Sequence, residues 1–394
     1  RQAGQTNFNY KNDFGTTNAY GIGINTKALE YFSKTGFLFP STPYKSIGIQ
    51  TSGKWQQRDM YFGLRKYLGE QTNFYANAIY ANIINTTNHK YKLGTSYLYD
   101  HYTEKLNDSS FSRTESVPGI FAEYTYTHAD NFSLVAGFRT DYHNLFGIQY
   151  TPRLHLRYNV TKSTTLRLSG GKGFRTANIF VENQSVFASS REVIVMEKLK
   201  PEIAWNYGIS INQKFKLFGN EAFINVDFFR TDFENQVVID LDKHVNKILF
   251  YNLNGKSYSN SLQADIGFTP LKSLDVKLAY KWYDVKTTYH AELLAKPYVP
   301  QHRIMFNAAY ATYMDIWKFD FTTNWLGQSR IPNTSMSPAE YQLPEFSKEY
   351  FLLNAQITKK FRKFDVYLGC ENILNFTQNN PVIAPDKPFG SNFD

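Results

Sequence analysis

Apolar and polar residues alternate strictly in short stretches that recur along almost the whole chain. Leu274, Val276, Leu278, Tyr280 and Trp282 alternate with Asp275, Lys277, Ala279, Lys281 and Tyr283. A strand sends successive side chains to opposite faces, so such a segment is a ribbon with one greasy and one polar side. The beat recurs in Leu154, Leu156, Tyr158 and Val160, and in Trp205, Tyr207, Ile209 and Ile211. It is equally clear in Leu262, Ala264, Ile266 and Phe268, and in Trp317, Phe319, Phe321, Thr323 and Trp325. The intervening residues include Arg153, Arg157, Asp265, Lys318 and Asp320, which suit the wall of a water-filled barrel better than a dry sandwich core.

The connections carry a second rhythm. Short links rich in turn formers fall at Asn85–Asn88, His128–Asn131, Thr161–Ser163, Phe218–Glu221, Thr269–Ser273, Tyr313–Asp315 and Arg362–Lys363. Between them lie long segments, Thr103–Ser116, Ala177–Lys200, Glu234–Lys256, Thr288–Val299 and Gln328–Lys348, with one shorter link near Tyr142–Gly147. Alternating short and long links predict an all-β, antiparallel up-and-down transmembrane barrel, with tight turns on the periplasmic rim and long loops outside. At about one strand per 20 residues, roughly eighteen strands are expected. The first 45 residues are less regular, and strands are expected there at Asn18–Asn25 and Leu29–Phe37.

Composition supports this reading. Aromatic residues make up 17% of the 394, with 29 Tyr and 33 Phe, as suits rings set in girdles at two membrane interfaces. The mean hydropathy of −0.45 excludes a bundle of spanning helices, yet fits strands that are half polar. The net charge of +9 is dispersed rather than gathered in a stripe, and no nucleic-acid motif accompanies it. The single cysteine, Cys370, shares the parity of Phe364, Val366 and Leu368 and reads as a small apolar wall residue. A fixed repeat that would mark a propeller is missing.

Catalytic constellations are lacking. The eight histidines never stand at i, i+4 or in a His-Glu pair suited to a metal, and there is no nucleophile elbow. Gly170-Gly171-Lys172-Gly173-Phe174-Arg175 superficially resembles a phosphate loop but lacks the Lys-Ser/Thr ending and a following helix. No enzyme activity and no cofactor are expected.

That glycine-rich stretch bears a family resemblance. Gly171-Lys172-Gly173-Phe174-Arg175-Thr176, then Asn178-Ile179-Phe180, Glu182-Asn183 and Ala188-Ser189-Ser190-Arg191, resemble the mid-barrel segment of TonB-dependent outer-membrane receptors, particularly those of Bacteroidetes. Glu371-Asn372-Ile373-Leu374-Asn375 resembles a signature on the penultimate strand of that family, and Asn379-Asn380-Pro381 through Pro388-Phe389-Gly390 resembles the loop after it. The resemblance implies a barrel of about 22 strands, an N-terminal plug and a TonB box. It also implies uptake of a scarce nutrient such as a ferric siderophore, haem, cobalamin or a glycan.

Implied partners are outer-membrane lipid, the TonB–ExbB–ExbD machinery acting through the plug, and a metal chelate or other small nutrient, with a surface lipoprotein as a further candidate. Residues 1–394 are expected to be part of such a barrel, lacking signal peptide, plug and closing strand. Expected ligand contacts are Arg175, Glu182, Asn183 and Arg191 in one long loop, with Tyr341 and Phe346 as an aromatic platform in another. Two other readings are a passive porin-like channel and a secreted, soluble glycan-binding β-protein.

Overall fold

A computed structural model describes residues 2–379 and 381–394. Asn380, in the middle of the Asn379-Asn380-Pro381 signature, and Arg1 lie outside the described residues. A short strand β1 (Gln2–Gly4) and one helical turn α1 (Tyr10–Asp13) precede the long strands β2 (Gly21–Leu38), β3 (Ser46–Phe62), β4 (Arg65–Ile84), β5 (Thr86–Leu106), β6 (Ser109–His128) and β7 (Phe132–His143). The middle of the chain forms β8 (Gly147–Tyr150), β9 (Arg153–Asn159), β10 (Thr164–Arg175), the helical turn α2 (Ile179–Glu182) and β11 (Glu192–Val195). Next come β12 (Glu202–Leu217), β13 (Asn220–Asn235), β14 (Val237–Asp240), β15 (Lys247–Asn252), β16 (Ser257–Leu271) and β17 (Leu274–Tyr289). The last strands are β18 (Glu292–Ala295), β19 (His302–Ala311), β20 (Trp317–Leu326), β21 (Tyr350–Lys360) and β22 (Asp365–Cys370).

Nineteen of these strands form one sheet in which chain neighbours pair antiparallel, close to the expected number. The remaining three, β11, β15 and β14, make a small sheet at the loop rim. Its β11–β15 pairing is parallel, the one departure from the all-antiparallel expectation among the described residues. Two loops that meet over the rim can run side by side in either sense, since no hairpin dictates their direction. The large sheet curls: inner-face residues of β3, β4 and β5 (Met60, Phe62, Tyr67, Leu106) share one buried cluster with Val237, Ile248 and Phe250, many strands away. Among the described residues no helix is long and apolar enough to cross a membrane.

Register turns the alternation into continuous rows. Phe132, Tyr158, Leu166, Ile211, Val226, Ala264, Tyr280, Ile304, Trp325 and Phe351 are successive cross-strand partners on one face. The row beside it on the opposite face runs Thr165, Asn212, Asn225, Asp265, Ala279, Met305 and Asn324. Many of the apolar side chains are exposed, among them Leu168, Tyr207, Ile211, Leu278, Phe319 and Phe321, as lipid-facing residues are. From the row of Trp282 to the row of Trp317 is ten residues, which at about 3.4 Å per residue and a tilt of about 40° makes an apolar band about 25 Å tall.

Three expectations need correction. Gly21–Leu38 is one strand, not two, because the polar link Thr26-Lys27-Ala28 pairs residue by residue with Arg58, Gln57 and Gln56. Thr103–Ser116 is not a loop: β5 runs to Leu106, turns at Asn107-Asp108, and β6 leaves at Ser109. Its charged residues kept the β period, and the inward ones pair along their own strand or with the neighbouring one. The alternation of short and long links is accordingly confined to the second half, since β3 and β4 are also joined by a two-residue turn, Gly63-Leu64. In the second half the predicted tight turns fall where expected, with Phe218-Gly219 and Lys272-Ser273 as two-residue links.

Candidate functional site at the loop rim

The lumen wall near the loop rim is a lattice of charges. Strand alternation places Asp100, Tyr102 and Glu104 of β5, Arg113 and Glu115 of β6, and Arg139, Asp141 and His143 of β7 on the inner face. Arg139 binds Asp141 and, through Nη2, Ser96 Oγ at 2.6 Å. Arg113 Nε lies 2.6 Å from Glu115 Oε1, while His143 Nε2 lies 3.3 Å from Glu115 Oε2. Tyr67 Oη donates to Glu104 at 2.6 Å. Paired charges of this kind keep a wall hydrated and rigid without leaving isolated buried ions.

The loop after β10 folds inward onto this wall. Phe180 and Phe187 are buried against Phe62, Tyr67 and Phe111. Its backbone is held from the wall: Arg65 donates to Phe187 O and Arg191 O at 3.0 and 2.5 Å, Tyr20 Oη donates to Ala188 O at 2.6 Å, and Arg113 donates to Ala177 O at 3.2 Å and to the side chain of Asn178. Burial pushes the Tyr20 hydroxyl up to about 12, so it stays a donor.

Within the loop, Arg175 Nε donates to Glu202 Oε2 at 2.6 Å and Nη1 donates to Glu182 Oε1 at 3.0 Å. Glu182 also accepts from Asn178 N at the start of α2, where a carboxylate offsets the exposed amides of a helical turn. Asn183 Nδ2 donates to Ile179 O at 2.7 Å. Arg191 is 3% exposed, and its guanidinium reaches Asp394 at 2.5 Å and Leu241 O at 2.9 Å. The structure thus brings Arg175, Glu182 and Asn183 together as a bracing set, with Arg191 deeper in the same loop. The side chain of Arg175 is the most open of its ion-paired set.

The other loops meet around two aspartates that sequence reasoning passed over. Asp240, fully buried, accepts from Asp242 N, Lys243 N, Tyr251 Oη and His290 Nε2 at 2.8, 3.1, 2.8 and 2.7 Å. Asp242 accepts two hydrogen bonds from Arg330 and one from Asn333 N. Burial by itself would raise the Asp242 pKa, but these donors and the Arg330 charge outweigh it and hold the carboxyl below its usual range.

Between these loops opens a cavity of about 780 Å³ lined by Lys243, His290, Glu292, Arg330, Asn333 and Thr334, among others. Tyr341 and Phe346 lie in the 327–348 segment that forms one side of it. Tyr341 sits in a short 3₁₀ turn, and Phe346 is exposed and bridges Arg330 through the backbone. They are not in the cluster of Arg175 and Arg191; Leu241 and Asp242 link the two regions. The signal that could have found Asp240 and Asp242 is their spacing, two acids at i, i+2 where β14 ends. Among the described residues no group of His, Cys, Asp and Glu side chains is arranged to hold a metal ion.

The family described as TonB dependent receptor-like, beta-barrel matches residues 1–373. The chain belongs to that family. Its members are transporters of the bacterial outer membrane rather than enzymes, and the lipid-facing rows described above are those of an outer-membrane barrel. Solved structures with the same fold include FpvA of P. aeruginosa bound to heterologous pyoverdines (TM-score 0.66, 13% identity, 91% of this chain and 53% of that one). The siderophore receptor PirA from Acinetobacter baumannii (0.66, 11%, 90% and 59%) and the copper transporter OprC (0.68, 11%, 91% and 63%) are similar in the same way. This TonB-dependent receptor barrel thus spans between about half and two thirds of the length of those proteins. No curated protein sequence matches it.

Proposed function

We propose that this barrel belongs to a receptor that captures a scarce nutrient at the loop rim and moves it through the lumen with energy delivered by TonB. A metal chelate such as a ferric siderophore is the ligand class that fits best, and no covalent chemistry is required. In this reading residues 1–394 are the barrel portion of a longer protein whose plug fills the lumen. The observation that carries it is the construction of the inner wall and rim. A polar, ion-paired lumen is roofed on one side by a loop anchored to the wall, and the other loops frame a ligand-sized cavity. A passive pore has less use for loops packed onto one another.

Tyr341, Phe346 and the open guanidinium of Arg175 are assigned as ligand contacts. Glu182, Asn183 and Arg191 hold the loop that carries or adjoins them. The test is uptake by cells whose own copy of the full-length gene is deleted and then restored. Accumulation of a radiolabelled ferric siderophore that needs both this gene and intact TonB is the expected result. Uptake that persists when TonB is removed would make the protein a passive channel instead.

A further inference from the structure

The net charge of +9 is dispersed along the chain as a whole, but one stretch concentrates it: Lys359-Lys360-Phe361-Arg362-Lys363-Phe364. It links β21 to β22 at the rim of tight turns. Phe361 N donates to Phe364 O at 2.9 Å, so Arg362 and Lys363 form the exposed tip of a two-residue link. The rings of Phe361 and Phe364 stack with centroids 4.9 Å apart. Lys359 pairs across the strands with Trp317 on the lipid face, and its Nζ lies 4.8 Å from the Trp317 ring centroid and 5.1 Å from that of Phe361. Trp317 in turn stacks on Phe319, and Phe319 on Tyr310.

The acids nearby do not neutralise this cluster. Lys360, on the inner face, has Asp365 as its cross-strand partner, and Asp315 of the adjacent turn stands 4.0 Å from Lys318. Among the described residues Lys359, Arg362 and Lys363 have no ion-pair partner. The loop rim provides the contrast. There Lys172 also lies over two rings, Tyr150 and Trp205, yet its ammonium is bonded to Glu234 at 2.9 and 3.0 Å. At the turn rim the lysine-over-rings arrangement recurs in Lys45, over Phe39 and Tyr80, again without a carboxylate. Three like charges within five residues repel one another, so the counter-charge comes from outside the chain. Three residues separate Lys359, in the row of Trp317, from Arg362, which at the rise and tilt of such a strand is about 8 Å along the membrane normal. The headgroup layer on each side of the hydrocarbon is about 5–8 Å thick. The stacked rings therefore lie at the edge of the apolar band, and the tip cations at the level of the phosphates. Leu271, Tyr313 and Met314, exposed on the neighbouring turns, fall in the same layer.

We propose that this turn is a binding site for an anionic phospholipid of the periplasmic leaflet, of the phosphatidylglycerol kind. Lys359, Arg362 and Lys363 hold the phosphodiester, while Trp317, Phe361 and Phe364 lie along the glycerol and the upper acyl chains. Lysine and arginine suit the place, because their long stems rest on apolar surface while the charged heads reach the phosphates. A cluster of unpaired cations selects an anionic lipid over a zwitterionic one. The site lies at the rim opposite the ligand loops and does not depend on which nutrient the receptor takes.

The test reads Trp317 fluorescence in the full-length receptor, reconstituted in equimolar phosphatidylcholine and phosphatidylglycerol with one lipid or the other brominated on its acyl chains. Subtracting the signal of the same protein carrying Trp317→Phe isolates quenching at Trp317. The expected result is phosphatidylglycerol enriched about tenfold or more beside Trp317 at low salt, with the enrichment shrinking as sodium chloride is added. R362Q/K363Q should bring the two lipids close to parity, and R362K/K363R should keep the enrichment. Lys277→Gln, on the inner wall, should leave it unchanged. Inorganic phosphate should lower it no more than sodium chloride of equal ionic strength. The β-sheet circular dichroism of each variant should match the parent, since the changes lie at an exposed turn tip. Equal quenching by the two lipids in the parent would overturn the proposal, as would undiminished enrichment in R362Q/K363Q or its loss in R362K/K363R. Displacement by inorganic phosphate beyond the effect of salt would overturn the lipid assignment and make the turn a site for a soluble anion.

Discussion

Arg330 grips Asp242 through two parallel hydrogen bonds, Nη1 to Oδ1 and Nη2 to Oδ2, both 2.8 Å long, across 88 residues of sequence. Both side chains are nearly buried, at 8% and 10% exposure, and Arg330 Nε also donates to Ala295 O at 2.6 Å. One guanidinium therefore ties together three loops of the rim. Asp242→Asn should leave that guanidinium underpaired and loosen the loops by about 3–5 kcal/mol, as for other broken buried pairs. Hydrogen exchange should quicken in residues 236–256 and 327–348 while the barrel strands keep their protection. Unchanged exchange in both segments would mean the pair does not hold the loops.

The same aspartate sets a pH dependence. Its carboxyl is held below the ordinary value of 3.8, so the closed loops bind fewer protons than open ones at acid pH. Closure is then fully supported above that ordinary value and is lost as pH falls below it, through the depressed pKa. Proteolysis of the rim loops by an acid-active protease should rise below about pH 4 in the parent. Asp242→Asn should show that sensitivity at every pH.

The lipid face offers a test of which side chains meet which solvent. Leu278 pairs with Ile266 and Phe306, and Phe321 pairs with Ala308 in the row of Val276, both midway between the Trp282 and Trp317 rows. Leu278→Arg or Phe321→Arg should destabilise the barrel in a bilayer by about 2–4 kcal/mol. Lys277 and Thr322 share an inner row with Asn307, so Lys277→Arg or Thr322→Arg should be close to neutral. Refolding titrations in lipid vesicles that give equal losses on both faces would contradict the assignment.

Phe187 is fully buried and packs against Phe62, Phe180 and the guanidinium of Arg65. Phe187→Ala removes the ring that seats the 177–200 loop, at a cost of about 3–5 kcal/mol to docking of that loop. Limited proteolysis should cut the variant within 177–200 and leave the strands intact. A loop that resists cleavage as well as the parent would place its anchor elsewhere, in Arg65 or Arg113.

Much of the barrel was legible because a spanning strand is a local object. Leu274 to Trp282 alternate in the sequence, and their register with β16 and β19 places them all on one face. The tight turns at Phe218-Gly219 and Lys272-Ser273 were legible too, because Gly219 and Ser273 take positive φ there, as does Phe218, and Gly, Asn or short polar residues mark such places. The hairpin at Asn107-Asp108 was misread as a long loop. Charged residues around it keep the period of two, but nothing local says that Glu104 and Glu115 meet Tyr67 and His143 on the neighbouring strands.

The rim is where sequence reasoning ran short. Arg175, Glu182, Asn183 and Arg191 stood out as a polar loop cluster, and they do gather, yet their hydrogen bonds are largely made to one another, to Glu202, to Asp394 and to backbone carbonyls. Asp240 and Asp242 carried only their i, i+2 spacing as a local signal, and His290 and Arg330 none beyond ordinary loop polarity. Period, turn chemistry and the apolar row are written between neighbouring residues, so the chain alone determined an antiparallel wall with a lipid face and a wet face. Which loop folds inward, which aspartate meets which arginine, and where Lys92 and Arg153 share one carboxylate depend on strands brought together around the barrel. Distance in space, not in sequence, decides those electrostatic pairings, so only the tertiary structure could supply them.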